Sequence, residues 1–192
     1  MVDAIADYDL VWASPPCAPY SGARLIRGYD THQPDLVAAT CRMLDKHQYS
    51  IIENVPPAAR AGQMRADVTL AWQMFDLEAP MPRRRIFQTS FPAPIPPPDP
   101  GFAKRGRRVL ISATGTGGLP STRRQRREAG LSPYTSIQEL RDAMQAPWVG
   151  AERTATATRI ALNAMIPACY ARWLGARARD AMEGIPYPRQ LI

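Results

Sequence analysis

Short apolar runs alternate with helix-period stretches along this chain, and the alternation predicts an α/β fold. Residues 8–13 and 49–55 are rich in aromatic and β-branched side chains, and prolines follow each run closely, so both are predicted to be buried strands. Between them, residues 34–47 carry apolar side chains at helical spacing, which predicts an amphipathic helix. A helix between two strands favours a parallel crossover, so both strands should end at the same edge of the sheet.

The rest of the chain predicts a mixture of strands, a proline-rich connector and helices. In chain order, the pattern indicates a helix over 66–75, strands over 77–79 and 84–89, an extended connector over 92–100 and a strand over 108–112. Three helices should follow: a basic one over 121–130, a short one over 136–144 that opens with a capping box, and a long one from about 167 to 184.

Positive charge is concentrated in one quarter of the sequence. The chain has 192 residues and a formal net charge of +7. Residues 83–127 contain eleven Lys or Arg and one acid, a net +10, whereas the remainder has thirteen bases and sixteen acids, a net −3. Such a segment is typical of contact with a phosphate backbone, and a solvated basic face is the alternative.

The cysteines and the apolar runs indicate a cytoplasmic protein. Cys17, Cys41 and Cys169 are far apart and form no C-x-x-C pair, so neither a metal site nor a disulfide framework is expected. No apolar run is long enough to cross a membrane, and the amino terminus does not have the pattern of a signal peptide.

Three reactive side chains are expected at the edge where the first two strands end. Cys17 follows the first strand on a loop stiffened by two prolines, Glu53 lies near the end of the second strand, and Arg84 or Arg85 opens a third. A thiolate can add to an electron-poor ring, a carboxyl group can bond a ring nitrogen, and a guanidinium can bond a ring carbonyl. The set therefore suits covalent activation of a pyrimidine. Taken singly, Cys17 also fits a buried structural thiol, and Glu53 an exposed strand-end carboxylate.

Four sequence blocks strengthen this interpretation by their order and spacing. They read Ser14-Pro-Pro-Cys-Ala-Pro-Tyr-Ser21, Ile52-Glu-Asn-Val-Pro56, Arg83-Arg-Arg-Ile-Phe87 and Leu162-Asn-Ala-Met-Ile-Pro167. Together they resemble the DNA cytosine-5 methyltransferase family, especially its phage and bacterial members, over nearly the whole chain. The resemblance implies a mixed, partial Rossmann-like methyltransferase sheet, the C-terminal half of the family fold. Its parts would be a catalytic half over 1–91, a small basic target-recognition region over 92–135 and C-terminal helices over 136–192.

The resemblance also implies a role for each matching residue. Cys17 would attack C6 of a cytosine flipped out of double-stranded DNA, Glu53 would bond N3 and the exocyclic amine, and Arg85 would hold the base. S-adenosylmethionine would supply a methyl group to C5, and no metal is implied. The other implied contacts are with DNA, at Ser21, Asn54, Val55, Arg83, Arg84, Arg107, Arg108, Arg123 and Arg124, and with the methyl donor, at Pro16, Leu36, Asn163 and Ala164.

The chain departs from the family pattern in two respects. Ala18 stands where the family has a glutamine after the cysteine. The family's first three strands, its Phe-x-Gly-x-Gly cofactor loop and its ribose-binding acid have no counterpart in this sequence, so the strand before Cys17 lacks its expected neighbour. We therefore expect one half of a split methyltransferase of a restriction–modification type, completed by a second polypeptide. A non-catalytic DNA-binding relic or regulator and an altered reaction at C5 are the alternatives.

Overall fold

The fold combines one small sheet with several helices. The computed structural model describes residues 5–21, 34–75, 81, 83–99, 111, 120–150 and 154–186. Within these ranges the strands are β1 (Val11–Ala13), β2 (Ser50–Asn54), β3 (Val68–Leu70) and β4 (Arg85–Thr89). The α-helices there are α1 (Val37–Leu44), α2 (Pro56–Arg60), α3 (Pro120–Glu128), α4 (Ile137–Met144), α5 (Ala155–Ala164) and α6 (Ala168–Met182).

The four strands form a mixed sheet in the order β1-β2-β4-β3. β1 and β2 are parallel, with Ala13 paired to Ile52, whereas β4 is antiparallel to both β2 and β3. The prediction of an α/β fold with parallel first strands is confirmed, and the sheet is compatible with a partial Rossmann-like fold. Because β4 runs against β2, its first residue, Arg85, lies at the edge where β2 ends.

Both faces of the sheet carry apolar side chains. On one face, residues of α1 and α2 form a buried cluster with Ile52 and Ile86. On the other face, Trp12 meets Phe87 edge to face, with ring centroids 5.9 Å apart. This alternation follows from the two-residue period of a strand, which sends neighbouring side chains to opposite faces.

Several predicted elements change in extent or type. The helices and strands predicted around 34–47, 49–55, 84–89, 121–130, 136–144 and 167–184 are confirmed, mostly with shorter bounds. The helix predicted over 66–75 is wrong in its first part, because Val68–Leu70 pair with β4 as a strand, and only Trp72–Phe75 are helical. The apolar pattern does not reveal α2 or α5. The strands predicted over 77–79 and 108–112 lie outside the described residues, apart from Ile111.

The chain divides into two compact units. The first consists of Met1–Leu70, Arg84–Pro96 and Gly175–Ile192, and it contains the sheet. The second consists of Ala71–Arg83 and Pro97–Leu174, and it contains α3, α4 and α5. In the second unit Leu140, Met144 and Leu162 are fully buried. None of the helices in the described ranges is both long and apolar enough to cross a membrane.

Candidate active site

The structure brings Cys17, Glu53 and Arg85 to one edge of the sheet. Cys17 lies on the loop after β1, Glu53 is the penultimate residue of β2, and Arg85 begins β4. Parallel pairing of β1 with β2 aligns their carboxyl ends, and antiparallel pairing of β4 places its first residue beside them. A half-buried thiol, a carboxyl group and a guanidinium therefore share this edge.

Glu53 and Arg85 form an ion pair that is almost out of water. Arg85 Nε lies 2.8 Å from Glu53 Oε1, and the two side chains are 15% and 10% exposed. Glu53 pairs with Phe87 in the register, so Arg85, two residues along β4, lies on the same face. Arg85 also donates to the carbonyl oxygen of Arg84 at 3.0 Å. These contacts hold the carboxyl group of Glu53 in one place at the sheet edge.

Asn54 ties the loop that carries Cys17 to β2. Its side-chain amide is fully buried and donates to the carbonyl oxygen of Pro15 at 3.1 Å. Its side-chain oxygen accepts the backbone N–H of Val55 at 2.9 Å. Because Pro15 is two residues before Cys17, this bond sets the position of the thiol relative to β2. Asn54 and Val55, predicted as DNA contacts, are thus part of the support of the loop.

The loop after Cys17 is a tight turn connected to the start of α1. The backbone N–H groups of Tyr20 and Ser21 donate to the carbonyl oxygen of Cys17 at 3.0 and 2.8 Å. The Tyr20 hydroxyl donates to one carboxylate oxygen of Asp35, and the other oxygen accepts the N–H of Val37 at 3.2 Å. Burial, together with the Asp35 carboxylate, raises the pKa of Tyr20 to about 12.

Sequence reasoning missed this connection. An aspartate just before a predicted amphipathic helix is a recognisable signal for a group that binds the helix amino terminus. Nothing in the local pattern indicates that Tyr20 is the second partner of Asp35, since fifteen residues separate them.

The other two thiols have a different environment from that of a nucleophile. Burial raises the pKa of the Cys41 thiol, and burial raises the pKa of Cys169 to about 11. A raised pKa lowers the fraction of thiolate, which is the reactive form. Neither thiol belongs to a metal-binding group, because no set of three suitable His, Cys, Asp or Glu side chains occurs in the described ranges.

Arg83 supports the end of α5 in the second unit. It is 5% exposed, and its guanidinium donates to the carbonyl oxygens of Asn163, at 2.7 Å, and Met165. Asn163 lies in the last turn of α5 and Met165 directly follows the helix, at the end where a cation also complements the helix dipole. The neighbouring Arg84 is exposed and belongs to the first unit. The three consecutive arginines therefore have three different surroundings.

The residues implied for methyl-donor binding are divided between the two units. Pro16 is half-buried and Leu36 is 43% exposed in the first unit, whereas Asn163 and Ala164 end α5 in the second. The side-chain oxygen of Asn163 is buried and has no hydrogen-bond partner among the described residues, so it could accept a bond from a ligand. A nucleoside-bearing cofactor needs several placed polar partners. These residues do not by themselves fit S-adenosylmethionine.

A groove of about 640 Å³ lies away from the candidate site, within the first unit. Tyr49, Phe91, Ile95 and Ile185 contribute to its lining. Tyr49 precedes β2, and Phe91 follows the antiparallel β4, so both lie at the same ends of their strands. The groove is therefore at the opposite end of the strands from Cys17. It is therefore not part of the proposed catalytic set.

The arginines predicted to contact DNA are only partly within the described residues. Arg123 and Arg124 lie on α3 in the second unit. Arg107 and Arg108 lie outside the described residues. The basic character of 121–130 is thus placed on a regular helix.

Comparisons with known proteins do not identify this site. No protein-family model matches the chain, and no curated protein matches it. The functional interpretation therefore rests on the residues themselves and on their arrangement.

Proposed function

We propose that this chain carries the base-activating site of a DNA cytosine-5 methyltransferase. The observation that carries the proposal is the Glu53–Arg85 ion pair, with atoms 2.8 Å apart, at the sheet edge that also presents Cys17. A structural thiol needs no such neighbours. Charges taken out of water have a large desolvation penalty, so an ion pair with this little exposure is weak evidence for a purely stabilising role.

Each of the three side chains has a distinct task at a cytosine ring. The Cys17 thiolate forms a bond to C6, the electrons of the C5–C6 double bond shift through C4 onto N3, and N3 takes up a proton from water that the Glu53 carboxylate relays. Arg85 orients Glu53 and directs N–H groups toward the ring carbonyl. C5 is then electron-rich and can attack an electrophile. Loss of the C5 hydrogen as a proton re-forms the C5–C6 double bond and expels the thiolate, and N3 returns its added proton to water through Glu53.

The described residues account for activation of the cytosine ring but not for binding of the methyl donor. S-adenosylmethionine is the methyl donor that the family resemblance implies, but the described residues do not by themselves fit it. A cytosine stacked in a duplex cannot be reached by a thiolate, so the substrate would be a base flipped out of DNA. The net +10 charge over residues 83–127 supports DNA as the carrier of that base.

The position of β1 at one end of the sheet formed by the described strands supports the participation of a second polypeptide. β1 is at an end of the sheet order, and only β2 pairs with it among the described strands. Val11 and Ala13 pack against the buried cluster on one face, and Trp12 contacts Phe87 on the other, as expected of an internal strand. An edge strand presents backbone N–H and C=O groups that can bond to another strand. We infer that the strands that complete the methyl-donor site pair along this side of β1.

Hydrogen exchange at C5 tests the proposal without a methyl donor. Thiolate addition followed by proton uptake and loss at C5 would release tritium from DNA labelled at C5 of cytosine. Cys17→Ser should abolish this release, whereas Cys41→Ser, a matched control at a half-buried thiol, should preserve it. The assay is run with the chain alone and with proteins that co-purify with it; methylation is then measured after S-adenosylmethionine is added. Absence of Cys17-dependent release in both preparations would overturn the proposal.

A non-catalytic DNA-binding protein is the second candidate. It is favoured by the exposed arginines of α3 together with the partial set of methyl-donor residues. This candidate predicts DNA binding that Cys17→Ser leaves unchanged, and no release of tritium from C5.

A further inference from the structure

The loop that carries Cys17 is attached to the first unit on both sides of the thiol. Before the thiol, the side-chain amide of Asn54 in β2 donates to the carbonyl oxygen of Pro15 at 3.1 Å. After it, the ring of Tyr20 packs against the buried cluster formed by α1, α2 and the sheet, and the Tyr20 hydroxyl donates to the carboxylate of Asp35. Cys17 is therefore held between β2 and the start of α1.

The turn after Cys17 transmits the position of Tyr20 to the thiol. The backbone N–H groups of Tyr20 and Ser21 donate to the carbonyl oxygen of Cys17 at 3.0 and 2.8 Å. Between Cys17 and Tyr20, Ala18 is 1% exposed, and Pro19 has a φ angle that its ring fixes. Because this segment has few free torsion angles, a displacement of Tyr20 displaces the backbone of Cys17 and the direction of its side chain.

The hydrogen bond from Tyr20 to Asp35 is well suited to hold this turn. A hydroxyl group that donates to a carboxylate makes one of the stronger hydrogen bonds found in proteins. The second carboxylate oxygen accepts the N–H of Val37, the first residue of α1, at 3.2 Å, so the acceptor is itself fixed to the helix. Burial, followed by the hydrogen bond and the charge of Asp35, raises the pKa of Tyr20 to about 12, so the hydroxyl keeps its proton and remains a donor at neutral pH.

We propose that Tyr20, held by Asp35, is a positioning residue that sets the approach of the Cys17 thiolate to C6 of the cytosine. The inference rests on the proposed function and adds the means by which its nucleophile is aligned. A displacement of about 1 Å between reacting groups can cost about 100-fold in rate. Because Asn54 and the Tyr20 ring still hold the loop when the hydroxyl is absent, we expect a smaller displacement and a loss of about tenfold.

Release of tritium from C5 of labelled DNA tests the role of the Tyr20 hydroxyl. Tyr20→Phe, which keeps the ring, should lower the maximal rate about tenfold but change the DNA concentration at half-maximal rate by less than about twofold, because the hydroxyl is bonded to Asp35 and not offered to DNA. Asp35→Ala should cause a similar fall, and the double variant should fall no further, since both residues act through one bond. Tyr49→Phe is the matched control and should change neither quantity, because its hydroxyl donates to the carbonyl oxygen of Ala181 at 3.4 Å, away from the site.

Alkylation of Cys17 by iodoacetamide, followed by mass spectrometry of its peptide, is a second measurement that needs no catalysis. Tyr20→Phe should speed this alkylation about two- to tenfold, the factor that corresponds to one net hydrogen bond, whereas Tyr49→Phe should not change it. If the wild-type protein releases no tritium, the methyltransferase proposal fails, and alkylation alone decides whether Tyr20 positions the thiol. If tritium is released but Tyr20→Phe changes neither its maximal rate nor the alkylation of Cys17, this inference fails and the methyltransferase proposal stands. A further fall in the double variant would also overturn the inference, because the two side chains would then act separately.

Discussion

Separating Glu53 from Arg85 should destabilise the chain strongly, and removing both charges should restore most of the loss. Their paired atoms are 2.8 Å apart. At an effective dielectric constant of about 20, that separation corresponds to an attraction of about 6 kcal/mol. Desolvation of both groups offsets much of it. Deleting one partner of a buried pair costs about 3–5 kcal/mol, because the other charge stays buried without compensation. Because the two side chains are 10% and 15% exposed, and thus not completely buried, we expect a cost near the lower end of this range, about 3 kcal/mol.

Urea unfolding of Glu53→Gln, Arg85→Met and the double variant measures this coupling. Each single substitution should lower the free energy of unfolding by about 3 kcal/mol, equivalent to a fall in Tm of about 6–12 °C. The double substitution should lower it by about 1 kcal/mol or less. Arg124→Met, in the exposed pair with Glu128, is the control and should lose less than about 1 kcal/mol. Additive losses in the double variant would refute the reasoning. If the pair serves catalysis, Cys17-dependent exchange should be absent even in the stable double variant.

Three further predictions concern the surroundings of the site and the second unit. Asn54→Ala should lower the free energy of unfolding by about 1–3 kcal/mol and speed the alkylation of Cys17 by iodoacetamide, because it removes the buried amide that holds the loop. An unchanged alkylation rate would show that other contacts hold the loop. Gly150→Ala should lower the free energy of unfolding, measured by chemical denaturation, by about 2 kcal/mol, since the φ of Gly150 is 75° and a Cβ would lie 2.2 Å from Thr158 Oγ1. An unchanged free energy of unfolding would contradict that contact. Because the pKa of Tyr20 is raised to about 12, its protonated hydroxyl should contribute its full stabilisation below pH 10. That stabilisation should be lost as the pH rises through 12. Tyr20→Phe should remove that part of the alkaline dependence, which unfolding measured between pH 9 and 12 would detect.

Local signals in the sequence were sufficient for much of the secondary structure. The prolines after the first two apolar runs end them as strands, and Ser136 with Glu139 marks the start of α4. These signals act over a few residues, so they can be recognised without knowing what packs nearby. The helix–strand order also predicted the parallel pairing that places Cys17 and Glu53 at one edge.

Only the tertiary structure decided which polar side chains are paired, buried or exposed. Arg85 pairs with Glu53, and Arg126 is buried against Glu139, although each lies in a run of similar arginines. Residues 68–70 form a strand because β4 lies beside them, which overrides the helical pattern of that stretch. Burial and charge pairing depend on chain segments that are distant in sequence. For that reason the sequence by itself determined which chemical groups are present, and the fold decided which of them can act together.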